Sequence, residues 1–281
     1  MSEGDELRRQ LEQKDKEYEK AKERFNQLKK TIRRNYEGVV QLLTEVISLS
    51  DRFLGGHMKR CANITKAYSL HLQHPKDVVF LHYYSALLHD IGLVGKDTSI
   101  ITLPREQLNE YQWEAFQEHP VEGEELIGSI YNLKRTAAII RAHHERYDGT
   151  GFPDRLTAEA IPYGARILAL VNDFDILVYK HQLSAEEAVA HIRQERGSAY
   201  DPNLADSFVP FISEWTEKKG SESSEISIEE LKPGMYLEDD IILTNGLLLV
   251  PNGTVLDSPT IAKIHSFSSM LGGKKSFKVV F

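Results

Sequence analysis

The sequence predicts a mainly α protein in three parts: an N-terminal coiled-coil helix, an all-helical domain and a small β-rich C-terminal module. Three observations predict it. Apolar residues keep an unbroken 4-3 spacing through residues 5–48. Residues 51–215 carry helical periodicity and no convincing alternating strand. Beyond residue 225, short apolar runs flank an Asn-Gly pair. The boundaries that follow are 1–50 for the coiled-coil helix, 51–216 for the helical domain, 217–225 for a linker and 226–281 for the module.

Written as heptads, the first segment places Leu7, Lys14, Ala21, Leu28, Asn35 and Leu42 at a, and Leu11, Tyr18, Phe25, Ile32, Val39 and Val46 at d. Ten of these twelve are apolar, and Lys, Arg and Glu fill the flanks. Sustained a/d spacing with charged flanks makes a coiled-coil seam, and one polar Asn at a fixes register and favours two parallel strands. A parallel homodimer is the expectation. The alternative is a single amphipathic helix packed on its own domain.

Helices are expected over 57–73, 78–91, 105–118, 122–130, 134–144, 161–179, 184–195 and 202–216, with Gly92 and Pro120 as stop signals. The polar run from Lys218 to Glu225 reads as the linker. After it, Thr244-Asn245-Gly246 separates Ile241-Ile242-Leu243 from Leu247-Leu248-Leu249-Val250, a strong hairpin signal. Asn252-Gly253 repeats that signal. A short helix near 258–268 and a last strand at 277–281 complete the module.

The 281 residues are 41% hydrophobic, enough for a sizeable core. The net charge of −8 argues against a nucleic-acid polymer or an anionic membrane surface as partner. Cys61 is the only cysteine, so no internal disulfide forms. With no apolar run long enough to span a bilayer and no signal-peptide core, a cytoplasmic location is expected.

The chemistry is carried by histidine. His89-Asp90 follows the apolar Ala86-Leu87-Leu88, His143-His144 follows Ala137-Ala138-Ile139-Ile140, His119 precedes Pro120, and His57 opens a helix. Ionisable groups at the inner ends of apolar helices must be paired or bound. Imidazoles and a carboxylate converging from several helices suit first-row transition metals, and Asp90, with two oxygens, can bridge two ions. Such a pair, about 3.5–4 Å apart, activates water and stabilises both oxygens of a phosphate-ester displacement. The scattered His71, His74, His82, His181, His191 and His265 read as packing or surface residues.

These motifs together resemble a known family. Leu87-Leu88-His89-Asp90-Ile91-Gly92, His119-Pro120 with Gly123, the run HHERYDGTGFP from His143 to Pro153, and Ile161-Pro162 with Ala165-Arg166-Ile167-Leu168 look like the HD-GYP subgroup of HD-domain phosphohydrolases. The resemblance covers residues 50–215, and residues 226–281 are similar, more loosely, to a module found in response regulators. It implies an all-helical domain holding two divalent transition metals, iron or manganese with zinc as a further option. It also implies hydrolysis of cyclic di-GMP or a related cyclic dinucleotide, and an upstream receiver or signalling domain. By position, it implies His57, His89, Asp90, His119, His143, His144 and Asn172 as metal ligands, with His89 and Asp90 catalytic. Arg146, Asp148, Gly149 and Gly151 would contact substrate.

The chain departs from that family pattern at several positions. Leu93 stands where a phosphate-binding lysine is usual, Phe152 replaces the signature tyrosine, and Asn172 replaces an aspartate ligand. Tyr179-Lys180-His181 replaces an Arg-rich stretch. Metal binding is therefore a firmer expectation than efficient hydrolysis. The alternatives are a weakened or inactive sensor that binds metal or nucleotide and signals through its coiled coil, and a scaffold that gathers partners.

Overall fold

The computed structural model describes residues 3–130, 133–221, 224–250, 254, 256, 258–273 and 276–280. Helix α1 runs unbroken from Glu3 to Ser50, and the chain divides after Leu43 into two compact units. In the first unit, the a/d residues Leu11, Tyr18, Phe25, Leu28, Ile32, Val39 and Leu42 lie exposed along α1.

The second unit contains the helices α2 (Arg52–His71), α3 (Lys76–Leu88), α4 (Thr98–Thr102), α5 (Glu110–Gly128), α6 (Lys134–Arg141), α7 (Tyr163–Asp175), α8 (Ala185–Gln194) and α9 (Pro202–Ser221). Capping explains several of their starts. Asp51 caps α2 by accepting from Leu54 N, while Asn109 and Ser184 form capping boxes with Gln112 and Glu187. The main core gathers Ile64, Tyr68, Leu170, Phe174, Ile192 and Phe208 from α2, α7, α8 and α9. A smaller cluster joins the end of α1 to the site's helices through Ile47, Leu54, Met58, Leu93 and Ile100.

The β-rich module has its own apolar core, centred on Leu237, Ile264, Phe277 and Val279. Strands β1 (Ser224–Ser227), β5 (Ser276–Val280) and β2 (Tyr236–Leu237) form an antiparallel sheet in the order β1-β5-β2. The expected hairpin is present as β3 (Ile241–Ile242) and β4 (Leu248–Val250), with Gly246 at φ 84° in its turn. Helix α10 (Ser258–Ser266) follows. The second Asn-Gly pair, Asn252-Gly253, lies outside the described residues. No helix among the described residues is long and apolar enough to cross a membrane.

Three local expectations change. Pro120 does not stop a helix, since α5 passes through it. The polar run after residue 217 is not a free linker: α9 continues to Ser221 and β1 begins at Ser224. The helix expected over 161–179 changes character at Ile176, where a π-helical turn, Ile176–Lys180, takes over.

Candidate metal centre

Helix ends deliver most of the site. His89 is the first residue beyond α3, and Asp90 follows it. His143 and His144 stand just past the end of α6 at Arg141. His57 lies on α2, His119 on α5 and Asn172 on α7. His89, Asp90, His119, His143 and Asn172 are all buried. Gly92 makes part of this convergence possible: a Cβ there would sit 2.1 Å from the backbone oxygen of His119, so only glycine lets the His89-Asp90 turn approach α5.

Three of the imidazoles are aimed by a backbone carbonyl behind them. His89 Nδ1 donates to Ala86 O at 2.8 Å, His119 Nδ1 to Phe116 O, and His143 Nδ1 to Ile140 O. With Nδ1 carrying the proton, Nε2 is left as a lone pair facing inward. The last carbonyls of a helix lack donors four residues on, which leaves Ala86 O to His89, while Ile140 O takes His143 Nδ1 beside the His143 backbone N–H at 3.5 Å. Proline has no N–H for the carbonyl four residues before it, so Pro120 frees Phe116 O in mid-helix for His119. Pro120→Ala restores a competing N–H. The expected result is metal binding at the His119 cluster up to about tenfold weaker, with the metal-free helix no less stable. Calorimetric metal titration beside thermal unfolding checks it, and unchanged affinity would mean that packing alone holds the ring.

His57 is held differently. Its Nδ1 lies 2.7 Å from Asp175 Oδ2, and Arg60 grips the same carboxylate through Nε and Nη2 at 2.7 and 2.8 Å. Burial alone would push the Asp175 carboxyl up, but Arg60 and His57 hold it below the usual carboxylate range. Asn172 is oriented in turn: its amide donates to Asp173 at 3.1 Å, and Tyr200 donates to the other Asp173 oxygen at 2.7 Å, which turns Asn172 Oδ1 inward.

The inward atoms form two groups that share Asp90. In the first, His57 Nε2 lies 3.2 Å from His89 Nε2 and 3.0 Å from Asn172 Oδ1, and Asp90 Oδ2 lies 3.5 and 3.4 Å from the two imidazoles. In the second, His119 Nε2 is 3.2 Å from His143 Nε2, and Asp90 Oδ1 lies 3.2 and 3.6 Å from them. His144 completes this group, all of whose ligand atoms lie within 4.8 Å of one another. Bonds of about 2.0–2.2 Å at tetrahedral to octahedral angles set neighbouring donors roughly 2.9–3.6 Å apart. The observed spacings are those of ligand-shell edges, so the residues fit metal ions. Burial opposes charge on Asp90, yet the surrounding imidazoles, His89 foremost, keep its carboxyl well below the ordinary range.

Sequence reasoning brought these seven residues together but missed their supports. Asp175 follows Asn172 by three residues, a helical spacing that could have revealed it. Cys61 Sγ lies 3.8 Å from His57 Nε2. Burial pushes its thiol up to about 11, and its sulfur groups with the donors of His57 and His89. Buried Glu145 accepts from the backbone N–H groups of Asp154 and Leu156 and so folds the signature loop. His82, one of the scattered histidines, bonds Ser69 at 3.0 Å in the interior, as a packing residue does.

A cavity of about 830 Å³ opens beside His143 and His144, lined also by Trp113, Arg146, Phe152 and Tyr200. Gly149, at φ 80°, and Gly151 line it as well. A Cβ on Gly151 would come within 2.6 Å of the His144 and Glu145 backbone, so glycine is needed for that close approach. Phe152 stacks on His144, with ring centroids 4.8 Å apart. Arg146 reaches the cavity while paired with Glu195 at 2.8 Å. Asp148 accepts from the Thr150 N–H and hydroxyl and shapes the loop itself. Leu93 lies in the apolar cluster, 2% exposed, where a lysine would bury its ammonium.

Residues 41–204 match the HD-domain family. The chain belongs to that family. Across 173 residues it is 31% identical to the cyclic di-GMP phosphodiesterase response regulator RpfG of Xanthomonas campestris, covering 59% of this chain and 46% of that protein. A probable cyclic di-GMP phosphodiesterase of Vibrio cholerae is 32% identical over 196 residues, covering 63% and 44%. A 3'3'-cGAMP-specific phosphodiesterase of the same organism is 29% identical over 171 residues, covering 59% and 37%. The chain thus spans less than half the length of these curated relatives. Among solved structures, it shares its fold with a cyclic GMP-AMP-specific phosphodiesterase of V. cholerae, at TM-score 0.50 and 22% identity, covering 63% of this chain and 48% of that one. An HDG"Y"P protein of Bdellovibrio bacteriovorus aligns at TM-score 0.51 and 19% identity, covering 56% and 51%.

Proposed function

We propose that this protein is a metal-dependent phosphodiesterase acting on cyclic di-GMP or a related cyclic dinucleotide. The observation that carries this reading is Asp90, which turns one oxygen toward each of two histidine groups. The names of its relatives supply the substrate class. Two divalent transition ions, iron or manganese before zinc, would be held by His57, His89, Asp90 and Asn172 on one side and by Asp90, His119, His143 and His144 on the other. Bound there, they would supply Lewis acidity toward phosphate and an activated water. The chain's own part is orientation: buried donors with fixed tautomers, a shared carboxylate, and a loop that closes the cavity wall with Phe152 and Arg146. Metal analysis, followed by product analysis after incubation with cyclic di-GMP and 3'3'-cGAMP, tests the reading. No turnover by iron-, manganese- or zinc-loaded protein would favour a metal- or nucleotide-sensing module, the reading to which the neutral Asn172 lends some support.

We further propose a cytoplasmic signalling protein that dimerises in parallel through the exposed a/d stripe of α1. Such a rod could pass an upstream signal to the site as a change in rotation or register. Removal of residues 1–43 is expected to convert a dimer to a monomer in analytical ultracentrifugation. A truncated protein that remains an equally tight dimer would place the seam elsewhere.

A further inference from the structure

The two donor groups differ in what they can offer a cation. On the His119 side, three imidazoles meet one oxygen of Asp90. On the His57 side, two imidazoles meet its other oxygen and the neutral amide of Asn172. The His57 side is nonetheless built for a cation. His57 turns its Nδ1 to Asp175, His89 turns its own to Ala86 O, and Asn172 spends its N–H₂ on Asp173. With both imidazoles neutral, the atoms left facing inward are all acceptors: His57 Nε2, His89 Nε2, Asn172 Oδ1 and Asp90 Oδ2. Neighbours among them lie 3.0–3.5 Å apart. Buried lone pairs facing one another are costly until a cation joins them.

A further donor stands beside these four. Cys61 lies one turn beyond His57 on α2, the i,i+4 spacing that puts both side chains on one helix face. It is fully buried, and its Sγ lies 3.6 Å from His57 Nδ1 and 3.8 Å from Nε2. Ligand atoms of His57, Cys61 and His89 all lie within 4.8 Å of one another. Metal bonds of about 2.3 Å to sulfur and 2.0–2.1 Å to nitrogen set the two donors roughly 3.5–3.8 Å apart at angles of about 110–120°. The Sγ–Nε2 separation falls at the upper end of that range. Cys61 also packs in the main core with Ile64 and Tyr68, a task that an apolar side chain of similar size would do as well. What sulfur adds is a donor that is soft and, as thiolate, charged.

We infer that Cys61 is a ligand of the ion on the His57 side, where its thiolate supplies the charge that Asn172 does not. It makes this side select a softer divalent ion, ferrous iron or zinc, over manganese. The inference rests on the metal-dependent reading of the site, and goes beyond it in the donor and in the preference. As the sulfur–metal bond forms, the thiol proton leaves to solvent and no electron changes hands. The His119 side has no sulfur with which to make that choice.

The test uses cobalt(II) as the probe, added without oxygen to the phosphine-reduced full chain as wild type, Cys61→Val and Cys61→Ser. Wild type is expected to show an intense thiolate-to-cobalt charge-transfer band in the near ultraviolet. Cys61 is the chain's only cysteine, so that band has one source. Both variants should lack it while still binding cobalt on the His119 side. Zinc, titrated against a chelator, should bind the His57 side roughly 10- to 100-fold more weakly in both variants, at least the scale on which loss of a support behind a ligand is felt. Manganese affinity should change far less. Valine keeps the core filled, and thermal unfolding of the metal-free proteins separates lost ligation from lost packing. Cobalt bound to wild type without the band would overturn the assignment even if both variants failed to fold. Zinc affinity equal to wild type in a folded Cys61→Val would overturn it too, and either result leaves the metal reading standing. A wild type that binds no cobalt would overturn both.

Discussion

Asp90→Asn is expected to lower turnover of cyclic di-GMP by about 10³-fold or more, the scale on which members of a cooperating catalytic unit fall when one is removed. The side chain keeps its shape, so the effect is electrostatic and directional. The carboxylate serves His57 and His89 through Oδ2 and His119 and His143 through Oδ1. An asparagine offers one oxygen and one N–H₂, so it can face only one group as an acceptor and must turn a donor toward the other. It also removes the one carboxylate among the proposed ligands. Two bound cations would then share only neutral ligands, and one should be lost. Metal counting by plasma spectrometry should find close to one equivalent in place of two, while far-ultraviolet circular dichroism stays unchanged. Full occupancy with full activity would show that Asp90 is not shared, and the two-ion reading would fall with it.

Most of this site was legible in the sequence because its logic is local. A histidine just past an apolar helix finds a carbonyl of the last turn within reach of its Nδ1–H, as His89 and His143 do. Pro120 shows where the rule needed a second step. Read as a stop signal, it splits a helix; read as a missing donor, it explains how His119 is aimed from the helix interior. The supports were harder to see because they act across the fold. Arg60 and Asp175 stand 115 residues apart, and no spacing rule pairs them. Glu145 is buried to fold a loop that sequence reading treated as a substrate contact. Leu93 was read by position as a lost phosphate contact, whereas its packing with Leu54 and Met58 makes it part of the core that seats α2. The polar stretch after residue 217 misled for a simpler reason, since a polar composition does not exclude a helix and α9 continues to Ser221.

Asn172→Asp is expected to tighten metal at the His57 side by roughly 10- to 100-fold, and by more at pH 8 than at pH 6. The gain comes from charge: the native group would hold an ion with two imidazoles, a neutral amide and a share of Asp90, so one more carboxylate adds direct attraction. The pH dependence comes from Asp173. Burial already raises the Asp173 carboxyl, and the amide of Asn172 donates to it at 3.1 Å. An aspartate at 172 would replace that donor with a second carboxylate at the same contact. Two buried carboxyl groups this close share a proton, which raises the first pKa of the pair above the ordinary carboxylate range. Metal must displace that proton, so the benefit shrinks as pH falls toward the raised pKa and grows above it. The His119 side, which uses neither residue, should keep its native affinity at both pH values. Competitive titration against a fluorescent chelator would resolve the two affinities. A gain equal at both pH values would mean that Asp173 does not share the proton, and no gain at either would mean that Asn172 is not a ligand.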